Sequence, residues 1–240
     1  ASVFSGMGVL VARFAGAREA DKVNRTVYQA FLTAVFMAVA ILAPAGYFLA
    51  PTLLELINAS PEVQVEALPY IRVMFVFSIG MLIFFMMSGA LRSAGDARTP
   101  LRLGVAMTVG NVILNMILIP GFGPIPALGT LGAAIGTAIA SGLTAIAFLW
   151  LVFSGRLVVK FSRSMSFAPD WKIIRELFRF GLPTGFQGIV MNLAGVLMLR
   201  FIGSLQYSSQ AQAAYAVGYT ELFALITWTS VGLMGATAAI

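Results

Sequence analysis

The chain has 240 residues, 60% hydrophobic and only 10% charged, with a formal net charge of +6 and a mean hydropathy of +0.94. Soluble domains carry about a quarter charged residues, so this balance points to a polytopic membrane protein. The lack of cysteine and histidine excludes disulfides, thiolate or imidazole metal sites, and serine–histidine catalysis.

Gaps between charges mark the expected spans in chain order. Residues 1–12 are uncharged up to Arg13 and read as the closing half of a span. Residues 26–54 are uncharged and hold a span over about 26–50, and 73–91, between Arg72 and Arg92, hold the next. The 53 residues between Arg102 and Arg156 contain no Asp, Glu, Lys or Arg. A bilayer accommodates such a run as two helices of roughly 20 residues each. PGFGPIP at 120–126 divides it into a hairpin of about 102–120 and 129–153. Residues 180–199 form the sixth span, and the seventh runs onward from about Gln212, interrupted only by Glu221. Backbone at membrane depth must satisfy its own hydrogen bonds, so all seven are expected as helices. The chain opens and closes inside apolar runs and is read as an internal piece of a longer protein.

Lysine and arginine set the orientation. Thirteen of the fifteen basic residues fall in alternate connections, around 13–25, 92–102 and 156–179. The opposite connections, about 51–69, 120–128 and 204–211, hold none, and the first carries Glu55, Glu62 and Glu66. The basic side is therefore cytoplasmic, in a multi-pass cytoplasmic (inner) membrane protein. The positive charge reports topology rather than nucleic-acid binding. Arg72 and Arg200 sit near outer span ends, where long side chains snorkel to the interface. In the longest connection, PDWKIIRELFRF at 169–180 predicts either a short amphipathic helix in the cytoplasmic interface or a loop reaching the next span. The division expected is 1–155, most of a first lobe; 156–180, a cytoplasmic linker; and 181–240, the start of a second lobe. MGVLVA at 7–12 matches MGATAA at 234–239. Six spans separate equivalent points, so the repeats would be parallel, about an axis along the membrane normal.

Several stretches together resemble multidrug and toxic compound extrusion (MATE) transporters. LRSAGDARTP at 91–100 resembles the family's LRGxGDTRTP turn. NVILN at 111–115, followed by ILI at 117–119, resembles its NxxLNxxLI helix. LGTLGAAIGTAIAS at 128–141 resembles LGVxGAAxATxIS, FGLPTG at 180–185 resembles the opening of the second half, and VARFAGA at 11–17 resembles VAQxxGA. The resemblance implies an all-α, two-lobe, twelve-helix exporter with parallel six-helix repeats, incomplete here, with about helices 2–8 present. It also implies alternating access driven by a proton or sodium gradient, with no cofactor and no resident metal.

Polar groups at membrane depth are costly, so each is a candidate for transport or cation coupling. Asn111 and Asn115 are four apart on one helix face, where amides can bind a partner helix, water or cargo. In one branch of the resembled family the second of these positions is aspartate, within a proton-linked pocket; Asn115 cannot titrate. Another branch carries a coupling glutamate about ten residues into the GLP helix, where this chain has Met191. Gln187 and Asn192 are the neutral candidates in that span. Glu221 is the one acidic residue well inside an expected span, and it should be protonated, paired or facing a watery cavity. Tyr215 and Tyr219 share a face and, with Met191, are cavity candidates; Glu221 stands about 200° round an ideal helix from Tyr219. Gly132, Gly136 and Ala140 form a small-residue stripe suited to close helix packing.

The expected activity is secondary export of small organic cations in exchange for H+ or Na+. The partners are the cargo, the lipid bilayer and the missing remainder of the same chain. No enzyme is expected, since no nucleophile–base pair or metal cluster is present. Two other readings stand: a lipid-linked oligosaccharide flippase of related fold, which should line its cavity with several Arg or Lys, and a non-transporting membrane scaffold.

Overall fold

The computed structural model describes residues 2–161, 168–205, 207–222, 226 and 229. These residues form helices α1 (Ser2–Gly16), α2 (Ala20–Phe36), α3 (Ala43–Leu56), α4 (Pro61–Val76), α5 (Ser78–Ser93), α6 (Arg98–Leu118), α7 (Gly129–Phe153), α8 (Trp171–Gly203) and α9 (Ser208–Tyr215). The stretches Met37–Leu42 and Ala216–Leu222 are π-helical. The first joins α2 and α3 into one apolar helix, Ala20–Leu56. Pro44 lacks an N–H and crowds the carbonyl four residues back; the widened turn just before it accommodates the missing bond, with Ala43 N–H pairing to the Ala38 carbonyl.

Five of the seven expected spans appear, with two differences; the first span, at 1–12, is a shorter apolar helix, and most of the seventh, from about Gln212, lies outside the described residues. Ala20–Leu56, Arg98–Leu118, Gly129–Phe153 and Trp171–Gly203 are long and apolar enough to cross a membrane, as is the pair α4 and α5, bent by 52°. The span expected at 73–91 thus begins earlier, at Pro61. Glu62, Glu66 and Arg72 interrupt the apolar run but not the helix. Ser60 caps α4, its Oγ accepting from Val63 N–H at 3.5 Å, with Pro61 opening the first turn. The helix bends at Phe77 because its halves face different partners: α4 packs on α3 and α7, whereas α5 packs on α1, α2 and α7.

The second difference is at 169–180. Instead of a separate interfacial helix, these residues are the first turns of α8, continuous to Gly203. Leu177 is fully buried, and Ile173 and Phe178 pack on the core. The apolar stripe has found α1, a protein partner, while Trp171 at the start of the segment and Phe180 at its end stay exposed. Asp170 caps the helix, accepting from Lys172 N–H at 3.0 Å and Ile173 N–H at 3.4 Å. The α1–α8 approach is close: a Cβ on Gly6 would overlap the Leu177 carbonyl.

The core gathers at the basic end of the bundle. Met7, Leu10 and Val11 of α1 meet Val27 of α2, Met86, Met87 and Leu91 of α5, and Phe148 and Val152 of α7. Buried methionine here fills gaps in the core rather than lining a cleft. The turn between α5 and α6 behaves as expected. Gly95 takes φ +91°, and the Asp96 carboxylate accepts from Arg98 and Thr99 N–H at 3.1 and 3.0 Å. On the other side, a two-residue bridge, Phe122 with Ile125, closes the α6–α7 hairpin loop. The second copy of the expected repeat, 234–239, lies outside the described residues.

Candidate functional site

The asparagine pair lies where α6 meets α7. Asn115 Nδ2 donates to Asn111 Oδ1 at 3.3 Å, and Asn111 Nδ2 donates to Thr137 Oγ1 at 3.2 Å. Thr137 Oγ1 donates in turn to the Ala133 carbonyl of its own helix at 2.9 Å. The two helices touch through the small-residue stripe. A Cβ on Gly132 would stand 2.6 Å from the Leu118 carbonyl, and one on Gly136 would overlap Asn115 Oδ1. Asn115 Oδ1 is buried without a donor among the described residues. The amides thus form a short polar chain within the hairpin, with one acceptor left open. Thr137 stands beside the small-residue stripe in the sequence, where it reads as a packing residue; the structure makes it the polar partner of Asn111.

The other candidates lie on α8 and beyond. Gln187 and Met191, four residues apart, share an exposed face of α8, with Met191 67% exposed. Asn192 is also exposed, and its Nδ2 donates to the Gly188 carbonyl at 2.7 Å within its own helix. Tyr215 and Tyr219 stack with ring centroids 5.1 Å apart and planes 10° apart. Glu221 falls in the π-helical Ala216–Leu222, a conformation frequent at functional sites; its side chain lies outside the described part of the structure. The described residues contain no group of three or more Asp, Glu, His or Cys able to hold a metal.

Two arrangements escaped sequence reasoning. At the basic end, α2 holds the linker. Gln29, fully buried, donates to the Ala168 carbonyl at 2.8 Å and accepts from Asp170 N–H at 3.0 Å. Arg25 pairs with Asp170 at 2.7 Å, and Asn24 Oδ1 accepts from Lys160 N–H at 2.8 Å. Phe161 sits edge-on to Tyr28 at 5.3 Å. At the opposite end, a cavity of about 550 Å³ is lined by Glu62, Glu66, Tyr70, Thr130, Ala133 and Ser209. Glu66 Oε2 accepts from Thr130 Oγ1 there at 2.7 Å. The spacing of Glu62, Glu66 and Tyr70 along one face of α4 was the signal for it.

Comparison with known proteins gives a consistent picture. The MatE family model matches residues 1–117. The chain is 26% identical over 215 residues to the probable multidrug resistance protein YoeA of Bacillus subtilis, covering 89% of this chain and 46% of that protein. It is 29% identical over 217 residues to the probable multidrug resistance protein NorM of Thermotoga maritima, covering 89% and 45% respectively. A solved MOP superfamily transporter from Pyrococcus furiosus shares the fold with a TM-score of 0.80 at 21% identity, covering 99% of this chain and 50% of that one. The chain spans about half the length of the curated relatives it matches.

Proposed function

We propose that this chain, whose residues 1–117 match the MatE family model and which is similar to multidrug resistance proteins over most of its length, forms most of one lobe, and the start of the other, of a multi-pass membrane exporter of small organic cations. In this reading, cargo enters a cleft between the lobes from the cytoplasm. H+ or Na+ entering from outside binds a carboxylate and favours the state that releases cargo outward.

The observation that carries the reading is how the helices divide. Helices α2 to α7 pack among themselves, with α1 against α2 and α5. After the linker, α8 lies chiefly along α1, with a lesser contact to α2. In this reading the α1–α8 contact is the surface along which the two lobes rock. Glu221, beyond that division in an apolar stretch, is the proposed coupling group. Asn111, Asn115, Gln187 and Asn192 are proposed as neutral polar contacts, and Met191, Tyr215 and Tyr219 as adaptable apolar surface for flat cations.

The test is efflux of a fluorescent organic cation from vesicles containing the full-length protein, under imposed proton and sodium gradients, for wild type and Glu221→Gln. Wild type should export under one of the gradients, and the variant should lose gradient dependence. Equal transport by both would move the coupling role away from Glu221. No cation efflux under either gradient would sink the antiporter reading.

A further inference from the structure

At the non-basic end of the bundle, the turn between α3 and α4 is joined to the end of α8 and the start of α9. Asn58 Nδ2 donates to the Arg200 carbonyl at 3.3 Å. Gln212 Nε2 lies within reach of two carbonyls, Ile57 at 3.1 Å and Leu199 at 3.3 Å. Ser209 Oγ donates to Ser60 Oγ at 3.3 Å. Gly203 completes the fit: a Cβ there would stand 2.5 Å from the Ile57 carbonyl and 3.1 Å from Asn58 Cβ. Asn58 itself adopts φ +52°, a conformation that asparagine tolerates better than most residues.

The chemistry of this seam differs from that at the other end. Its acceptors are mainly carbonyls at or next to the ends of α3 and α8, where helical partners run out. At a membrane surface water can replace each donor, so the seam can part and re-form without stranding a buried polar group. The basic end is held chiefly by buried apolar contacts along α1 and α8, which no water can replace, and in addition by the buried Gln29. Ser209 also lines the cavity containing Glu62 and Glu66, so parting the seam removes one wall of that cavity.

We propose that Asn58 and Ser60 on one side, with Ser209 and Gln212 on the other, form an outer latch that closes the two lobes together and must open for cargo to leave. The proposal rests on the transport reading above.

The test uses the full-length protein in vesicles with Ser60→Cys and Ser209→Cys introduced together; this chain has no cysteine of its own. The two hydroxyl oxygens are 3.3 Å apart, and a disulfide needs about 2.05 Å between sulfurs, so a small rotation joins them. Copper phenanthroline should cross-link the pair and lower cation efflux at least tenfold, with recovery on reduction and no effect on either single variant. A disulfide verified by mass spectrometry that leaves efflux unchanged overturns the latch. So does a reduced, transporting pair that never cross-links. If the reduced pair is inactive because it misfolds, Gln212→Ala in a single Ser209→Cys background gives an independent reading. Labelling by a membrane-impermeant maleimide should rise at least threefold, and an unchanged rate overturns the proposal. If wild type itself moves no cation, the transport reading fails and the latch falls with it.

Discussion

Replacing Gln29 by leucine tests whether α2 holds the linker. The side chain is fully buried and makes two bonds, 2.8 Å to the Ala168 carbonyl and 3.0 Å from Asp170 N–H. Leucine fills most of the same volume and makes neither. Ala168 is exposed and Asp170 partly buried, so the freed carbonyl regains water while the N–H does so less easily. Each bond is then worth about 1 kcal/mol, and the pair ~2 kcal/mol. That corresponds to a rise of about 30-fold in the equilibrium for detaching the linker. Lys160 and Arg163 are trypsin sites in the same connection, and cleavage follows the open population when reclosing is fast. Limited trypsin digestion of the purified full-length protein in detergent should therefore cut here some tens of times faster in Gln29→Leu. Gln29→Glu keeps an acceptor for Asp170 N–H but has no donor for Ala168, and it sets a carboxylate beside Asp170, so it should be at least as open. Wild-type cleavage rates and an unchanged Tm in Gln29→Leu would refute this account.

Two further outcomes follow from packing. Gly6→Ala should destabilise by about 1–3 kcal/mol through overpacking, because the new methyl meets the Leu177 backbone carbonyl; Gly16→Ala, with nothing within 4 Å, should be near neutral, and equal melting temperatures for the two would contradict the α1–α8 contact. A double-mutant cycle of Asn111→Ala with Thr137→Ala should give a coupling of about 0.6 kcal/mol, the average for membrane hydrogen bonds; strict additivity would mean that the 3.2 Å bond contributes nothing.

The legible parts of this protein were those written in local pattern. Charge gaps located most of the spanning helices because burying a charge in lipid is costly whatever the fold. The i,i+4 spacing of Asn111 and Asn115 placed them on one face, and the glycine stripe at 132 and 136 marked the contact that receives them. The charge rule hid the first turns of α4: Glu62, Glu66 and Arg72 look like the end of a span, although Ser60 and Pro61 already signalled a helix start. At 169–180 the pattern announced an amphipathic helix correctly, but amphipathicity does not say whether the apolar face meets lipid or protein.

By itself the sequence determined that the chain is helical, membrane-spanning and basic on one side, because those properties depend on each residue's cost of transfer into lipid. Only the tertiary structure decided what the polar residues do. Gln29 meets its linker partner across 139 positions, Asn58 meets Arg200 across 142, and Gln212 meets Ile57 across 155. Such pairings exist only once helix packing has brought distant turns together, and no periodicity in the chain encodes them.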